Sequence, residues 1–319
     1  MKINNKEISY KQTLKSMDTE ETIDLVFYRP IGFMWAVICA KLGIKPNAIT
    51  IASIFIGVAA GILFYFDGDL LWLNYIGIVL LILANSFDSA DGQLARMTGQ
   101  YSRLGRILDG LSGDFWFVAI YFAICFRVDG TSEFFSQYPW LIWAIAIIAG
   151  LSHAKQAAMA DYYRQFHLYF LKGKEGSELD SVDQLDEAYR QIPWKGNFWK
   201  KATAFFYRNY TANQEVMTPN MQKLRRKLRE TFGNEGEPSQ QFRDAFRAQS
   251  KPLMKYTNWL SFNLRTIALF AAILSQMPWL YFAFEIVMLN AMMVYMMHRH
   301  ENICKTMTKE LEDGKFKRN

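Results

Sequence analysis

Four aspartates stand close together in one stretch of the chain: Asp88, Asp91, Asp109 and Asp114. Asp88 and Asp91 are three apart, so a helix would place both on one face. Asp109 follows a short break around Gly99 to Ser102, which would let the next helix bring it opposite the first pair. Hard carboxylate oxygens from two facing helices suit Mg²⁺ or Mn²⁺, ions that bridge phosphate oxygens, and a pyrophosphate is the natural guest. Arg96, Arg103 and Arg106 share the same loop and could neutralise phosphate charge, with anchoring at a membrane face as the simpler alternative. Gly92, Ala95, Gly105, Gly110 and Gly113 are small, so backbones could approach each other or a ligand there, or helices could simply pack.

The surrounding sequence says what must hold these groups. Of 319 residues 51% are apolar and 16% aromatic, which excludes a disordered chain. The apolar residues gather in runs of spanning length: 49–66, 70–87, 115–126 with its Gly-rich lead-in, 139–154, 256–274 and 278–297. We therefore expect an all-α integral membrane protein with six transmembrane helices, an N-terminal interfacial helix and a cytoplasmic helical insertion. Lys and Arg fall almost wholly in the N-terminal arm, the 96–106 loop, the central polar segment and the tail; among the three outer loops only Arg127 is basic. That bias puts both termini and the aspartates on the cytoplasmic side. A soluble bundle fits neither the run lengths nor the asymmetry.

The expected organisation is an arm and juxtamembrane helix at 1–45, a transmembrane core at 46–160, a polar insertion at 161–252, two further spans at 253–298 and a tail at 299–319. Ile23 to Leu42 is apolar but interrupted by Arg29-Pro30, and it reads as an interfacial helix rather than a span. Trp72 with Tyr75, and Tyr138 with Trp140, stand where interface anchors would. In the insertion, aromatic and basic residues interleave from Trp194 to Tyr210, and Lys223 to Arg229 forms a basic helical stretch. Contact with anionic headgroups or an anionic substrate, and a solvated helix packed on the body, both fit. His153, Lys155, His298 and His300 read as helix-end residues, and Asn263, Arg265, Glu285 and Asn290 as polar groups lining a cavity or bonding between helices. Cys39, Cys125 and Cys304 are singletons that suggest neither disulfides nor a thiolate metal site. The N-terminal residues lack a secretory-signal layout, and no nucleic-acid motif accompanies the net charge of +6.

Taken together, Asp88-x2-Asp91-Gly92-x2-Ala95-Arg96-x8-Gly105-x3-Asp109 resembles the signature of the CDP-alcohol phosphotransferases, membrane enzymes of phospholipid synthesis. Pro46-Asn47-x2-Thr50 leading into the first span resembles that family too. The likeness implies transfer of a substituted phosphate from a CDP-alcohol, CDP-diacylglycerol favoured, to an acceptor hydroxyl with release of CMP. It implies Mg²⁺ or Mn²⁺ on Asp88, Asp91, Asp109 and Asp114, with Asp114 also as general base. Thr50, Gly92, Ala95, Arg96 and Gly105 would line the CDP pocket, and Arg103 and Arg106 would meet the acceptor. One position departs from the pattern: its last aspartate should stand four residues after Asp109, where this chain has Gly113, with the acid at Asp114. Five residues turn an ideal helix to a face about 140° away, so we expect a one-residue π-bulge to restore Asp114 to the site.

Three alternatives stay open. A CDP-choline or CDP-ethanolamine type donor could react with a lipid acceptor. Asn85-x2-Asp88-x2-Asp91 faintly echoes membrane prenyltransferases, which need a second Asp-rich motif. A non-enzymatic transporter would use the acids as an ion pathway, but the chain shows no repeat. The expected setting is a multi-pass protein of a bacterial inner membrane with its site on the cytoplasmic face. Its partners are membrane lipid, a CDP-alcohol and an acceptor alcohol, and a homodimer is a compatible assembly.

Overall fold

A computed structural model describes residues 2–3, 6–7, 10–13, 16, 18–173, 181–233 and 237–316; the side chains of Lys2, Ile3, Lys6, Glu7, Lys11, Gln12, Arg103, Leu104, Arg106, Ile107 and Lys172 lie outside the described set. Apart from a two-residue antiparallel pairing of Lys2–Ile3 with Lys6–Glu7, its regular structure is helical. In chain order the helices are α1 (Arg29–Lys41), α2 (Pro46–Leu63), α3 (Trp72–Thr98), α4 (Arg103–Thr131), α5 (Glu133–Gln137), α6 (Pro139–Lys172), α7 (Val182–Gln191), α8 (Phe198–Val216), α9 (Pro219–Phe232), α10 (Gln240–Ser250), α11 (Met254–Trp259), α12 (Phe262–Leu274), α13 (Trp279–Ala283) and α14 (Asn290–Glu312). The protein is an all-helical, multi-pass membrane protein.

Among the described residues five helical segments are long and apolar enough to cross a bilayer: Pro46–Leu63, Gly68–Thr98, Leu108–Thr131, Pro139–Leu171 and Trp279–Glu312. The sixth expected span, 256–274, is divided. Between α11 and α12 the helix breaks at Leu260 and Ser261, and α12 keeps 13 residues. At 1.5 Å per residue that is roughly 20 Å, short of the roughly 30 Å hydrocarbon core.

The chain divides into two compact units. Unit 1 comprises residues 1–152 and 262–287. Its core joins α2, α3, α4, α12 and α13 through Phe64, Leu81, Trp116, Ile120, Leu269 and Tyr281, among others. Close approach of α2 to α4 depends on missing side chains: a Cβ at Gly57 would lie 2.2 Å from the Trp116 ring, and one at Gly61 3.0 Å from the Ile120 nitrogen. Trp116 donates its indole N–H to the Ser53 carbonyl at 3.0 Å, fixing the ring in that notch.

Arg29-Pro30 does not break the interfacial helix as expected. A π-helical turn over Asp24–Tyr28 precedes α1, and the Arg29 amide donates to the Asp24 carbonyl five residues back. Proline lacks the N–H for an ordinary turn, and the wider turn just ahead lets the helix enter α1 with Pro30 in its first turn.

Unit 2 comprises residues 153–261 and 288–319. The buried face of α9, Met221, Leu224, Leu228 and Phe232, packs on α14, where Cys304 Sγ lies 3.5 Å from Met221 Sδ. Ser181 and Gln184 form a capping box that starts α7.

Candidate active site

Three structural devices bring the aspartates together. Gly99, at φ 70°, ends α3 in the left-handed conformation that glycine adopts without strain. Ser102 then caps α4, accepting the Gly105 amide at 2.8 Å. The Ser102 hydroxyl in turn donates to Asn47 Oδ1 at 2.9 Å, tying the start of α4 to the first turn of α2. Any side chain at Gly105 would collide there, because its Cβ would meet Asn47 Oδ1 at 2.4 Å.

The result is a cluster. Carboxylate oxygens of Asp88 and Asp91 on α3 and Asp109 on α4 all lie within 4.8 Å of one another, with Asp91 buried, Asp88 half-buried and Asp109 exposed. At an effective dielectric near 20, each ionised pair at that distance repels by about 3.5 kcal/mol. An all-oxygen set of this kind matches Mg²⁺ or Mn²⁺, whose charge would relieve the repulsion, so the residues present fit such an ion. Two hydroxyls orient the inner pair. The buried Thr50 of α2 donates to Asp91 Oδ2. Ser112 of α4, also buried, donates to Asp88 Oδ1 at 2.6 Å, with the Asp109 carbonyl as a second acceptor at 2.9 Å.

Asp114 is not in this group. The helix α4 is an unbroken α-helix from Arg103 to Thr131, so the expected π-bulge at 109–114 is absent; glycine permits a bulge but does not force one. Asp114 is therefore carried away from Asp109 by the ordinary helical turn and lies exposed. Gly110 and Gly113 border open space rather than protein, since a Cβ at either would meet nothing within 4 Å.

The residues expected around a nucleotide take varied places. Thr50 spends its hydroxyl on Asp91 rather than on open space. Gly92 makes room for Arg96, whose Nη1 would lie 3.4 Å from a Cβ there. Arg96 donates through Nε to the Thr13 carbonyl at 2.7 Å, so the N-terminal arm fixes its direction. Ala95 lies half-buried on α3. The side chains of Arg103 and Arg106 fall outside the described residues, and only their backbone place in the first turn of α4 is on view.

Several contributors escaped the sequence reading. Ser112 carried a usable signal, as a polar residue three positions after Asp109 on an apolar helix. Gln93 and Arg29 carried none. Gln93 donates to the Arg29 carbonyl at 3.1 Å and Arg29 to Glu20 at 2.9 Å, which clamps the arm against α3. The polar groups of the later apolar runs prove to bond between helices. Arg265 and Glu285 form a buried ion pair, Glu285 also accepts the hydroxyls of Tyr121 and Tyr281, and Asn263 donates to Glu21 and Asp24. Glu285 sits in a π-helical turn, Phe284–Leu289. In unit 2, Asn290 accepts from Gln156 at 2.8 Å, and His300 is buried with its ring stacked on Tyr163 at 4.1 Å, not at an interface.

The chain is 41% identical over 70 residues to the archaetidylinositol phosphate synthase of Pyrococcus horikoshii, a stretch covering 22% of this chain and 35% of that protein. The match thus spans about a third of the relative's length. Residues 44–165, which contain Thr50, the three clustered aspartates and Arg96, match the CDP-alcohol phosphatidyltransferase family.

Proposed function

We propose that the protein transfers a substituted phosphate from a CDP-alcohol to an acceptor hydroxyl, releasing CMP, as a step of phospholipid synthesis. The observation that carries this reading is the convergence of Asp88, Asp91 and Asp109 within 4.8 Å, inside the segment that matches the family. Asp88, Asp91 and Asp109 would hold Mg²⁺ or Mn²⁺. The ion would supply charge neutralisation for the diphosphate and its leaving CMP.

The chain's own residues do the positioning. Thr50 and Ser112 set the rotamers of Asp91 and Asp88, and Arg96, held by Thr13, presents a fixed positive charge one turn along α3. Exposed Asp109 and the open space at Gly110 and Gly113 leave the α4 side free for a diphosphate and an incoming hydroxyl. Asp114 lies off the cluster, so we assign it neither a metal bond nor the proton abstraction. Arg103 and Arg106, at the start of α4, would receive a charged acceptor.

The donor we favour is CDP-diacylglycerol or a comparable CDP-lipid, and the acceptor a phosphorylated polyol. The name of the archaeal relative, archaetidylinositol phosphate synthase, supports that choice. Positive-inside bias supports a site on the cytoplasmic face of the membrane.

The test is direct. Purified protein with Mn²⁺ and labelled CDP-diacylglycerol is offered polyols, polyol phosphates and amino alcohols, and CMP release is read. Release with a polyol phosphate is expected. Silence across the panel, with turnover of CDP-choline or CDP-ethanolamine instead, would reverse the roles of donor and acceptor. Asp88→Asn should abolish turnover while the protein stays folded.

A further inference from the structure

In unit 2 the α7–α8 arm carries an aromatic face that the described residues leave uncovered. On α8 Trp199 is 80% exposed and Phe206 70%, while Phe198 and Trp194, the latter in the turn before α8, are 59% and 58% exposed. At 100° per residue Phe198, Trp199, Phe205 and Phe206 fall within an arc of about 120°, and exposed Val216 continues it at the far end of the helix. The side of α8 next to Phe205 is fastened down. Lys201 is buried, donating to the Ile192 carbonyl at 2.8 Å with its ammonium 4.6 Å from the centre of the Tyr189 ring, and Arg208 pairs with Asp186 of α7. The aromatic face is thus held outward by a built scaffold.

Two further observations say what covers it. The first is charge. From Trp194 to Val216 the segment carries Lys195, Lys200, Lys201 and Arg208 against a single acid, Glu215, and Lys195 and Lys200 are exposed. Aromatic rings bordered by lysines are the composition of a helix that lies in the headgroup layer of an anionic bilayer. The second is depth. Gln214, near the end of α8, donates to the Ala158 carbonyl of α6 at 2.8 Å. Ala158 lies between Lys155 and Asp161, the first charged residues after the apolar part of that spanning helix. The contact therefore ties the C-terminal end of α8 to α6 at the level where α6 leaves the hydrocarbon.

We infer that α8, with Trp194, is an in-plane membrane anchor: its aromatic face sinks to the boundary of headgroups and acyl chains in a leaflet containing anionic lipid, and Lys195 and Lys200 meet lipid phosphates. This role is independent of the catalytic reading. It fixes unit 2 at the membrane surface whatever reaction unit 1 performs.

The test uses the full chain in vesicles of phosphatidylcholine and phosphatidylglycerol in equal parts. On a background with Cys39, Cys125 and Cys304 replaced by alanine, a nitroxide is placed through Trp199→Cys, Phe206→Cys or, as an aqueous control, Glu230→Cys. Collisions with oxygen, which concentrates in the bilayer, are compared with those of a water-soluble nickel chelate. The expected result is an oxygen-to-chelate ratio severalfold higher at positions 199 and 206 than at 230, falling when phosphatidylglycerol is omitted. Equal ratios at all three positions would overturn the inference, and so would labels at 199 and 206 shielded from both reagents, which would mean a protein partner or a second copy covers the face. If the alanine background fails to fold, tryptophan quenching by brominated lipid replaces it. Trp199→Phe must then remove part of the quenched emission, and an unchanged quenched fraction would refute the anchor.

Discussion

Replacing Ser112 by alanine removes one oxygen atom from the face of α4 that meets Asp88. That hydroxyl has one proton and two acceptors in reach, the Asp88 carboxylate at 2.6 Å and the Asp109 carbonyl at 2.9 Å, and the shorter, charged acceptor takes it. Ser112 is buried, so water does not replace the lost donor freely. A hydrogen bond to a charged group is worth about 1.5–3 kcal/mol. Carried through to the ligand it orients, the loss becomes about a tenfold to hundredfold weakening of metal affinity. Titration of the purified protein with Mn²⁺, followed by loss of the free-ion electron paramagnetic resonance signal, measures this without turnover. Ser112→Ala should raise the Kd by that factor, and Ser112→Thr should restore it. An unaltered Mn²⁺ affinity in Ser112→Ala would mean that Asp88 is not a metal ligand.

Other expectations follow from the same geometry. Asp109→Asn should reduce CMP release by at least about a hundredfold, as loss of a charge next to the reacting phosphates does, whereas Asp114→Asn should keep most of the rate; equal losses in a side-by-side assay would put Asp114 in the site after all. Gly57→Ala sets a Cβ 2.2 Å from the Trp116 ring and forces that buried indole off the Ser53 carbonyl. Overpacking plus the lost hydrogen bond should cost about 2–4 kcal/mol, read as a lowered midpoint in detergent unfolding. Glu285→Gln leaves the Arg265 guanidinium buried without its counter-charge, and the same assay should show about 3–5 kcal/mol of destabilisation.

The sequence alone determined the helical membrane class and the identity of the chemistry-bearing stretch. Both are local properties: an apolar run of spanning length is helical wherever it sits in a bilayer, and Asp88 with Asp91 share a face because the helical period fixes it. The resemblance also rested on short-range spacing, and it pointed to the family whose model matches residues 44–165. What came from tertiary structure was which groups meet. Asp109 joins the pair because Gly99 and Ser102 stop one helix and start the next in register with Asn47, whereas Asp114 stays away because nothing around α4 forces its hydrogen-bond ladder open. The π-helical turns occur instead at Asp24–Tyr28, where Pro30 follows, and at Phe284–Leu289, where Glu285 meets Arg265 and two tyrosines. The tie of Arg96 to the Thr13 carbonyl and the break at Leu260 and Ser261 were likewise invisible in the residues themselves. Periodicity says which face a side chain occupies, but the partner across that face comes from a distant part of the chain, and only the packed structure selects it.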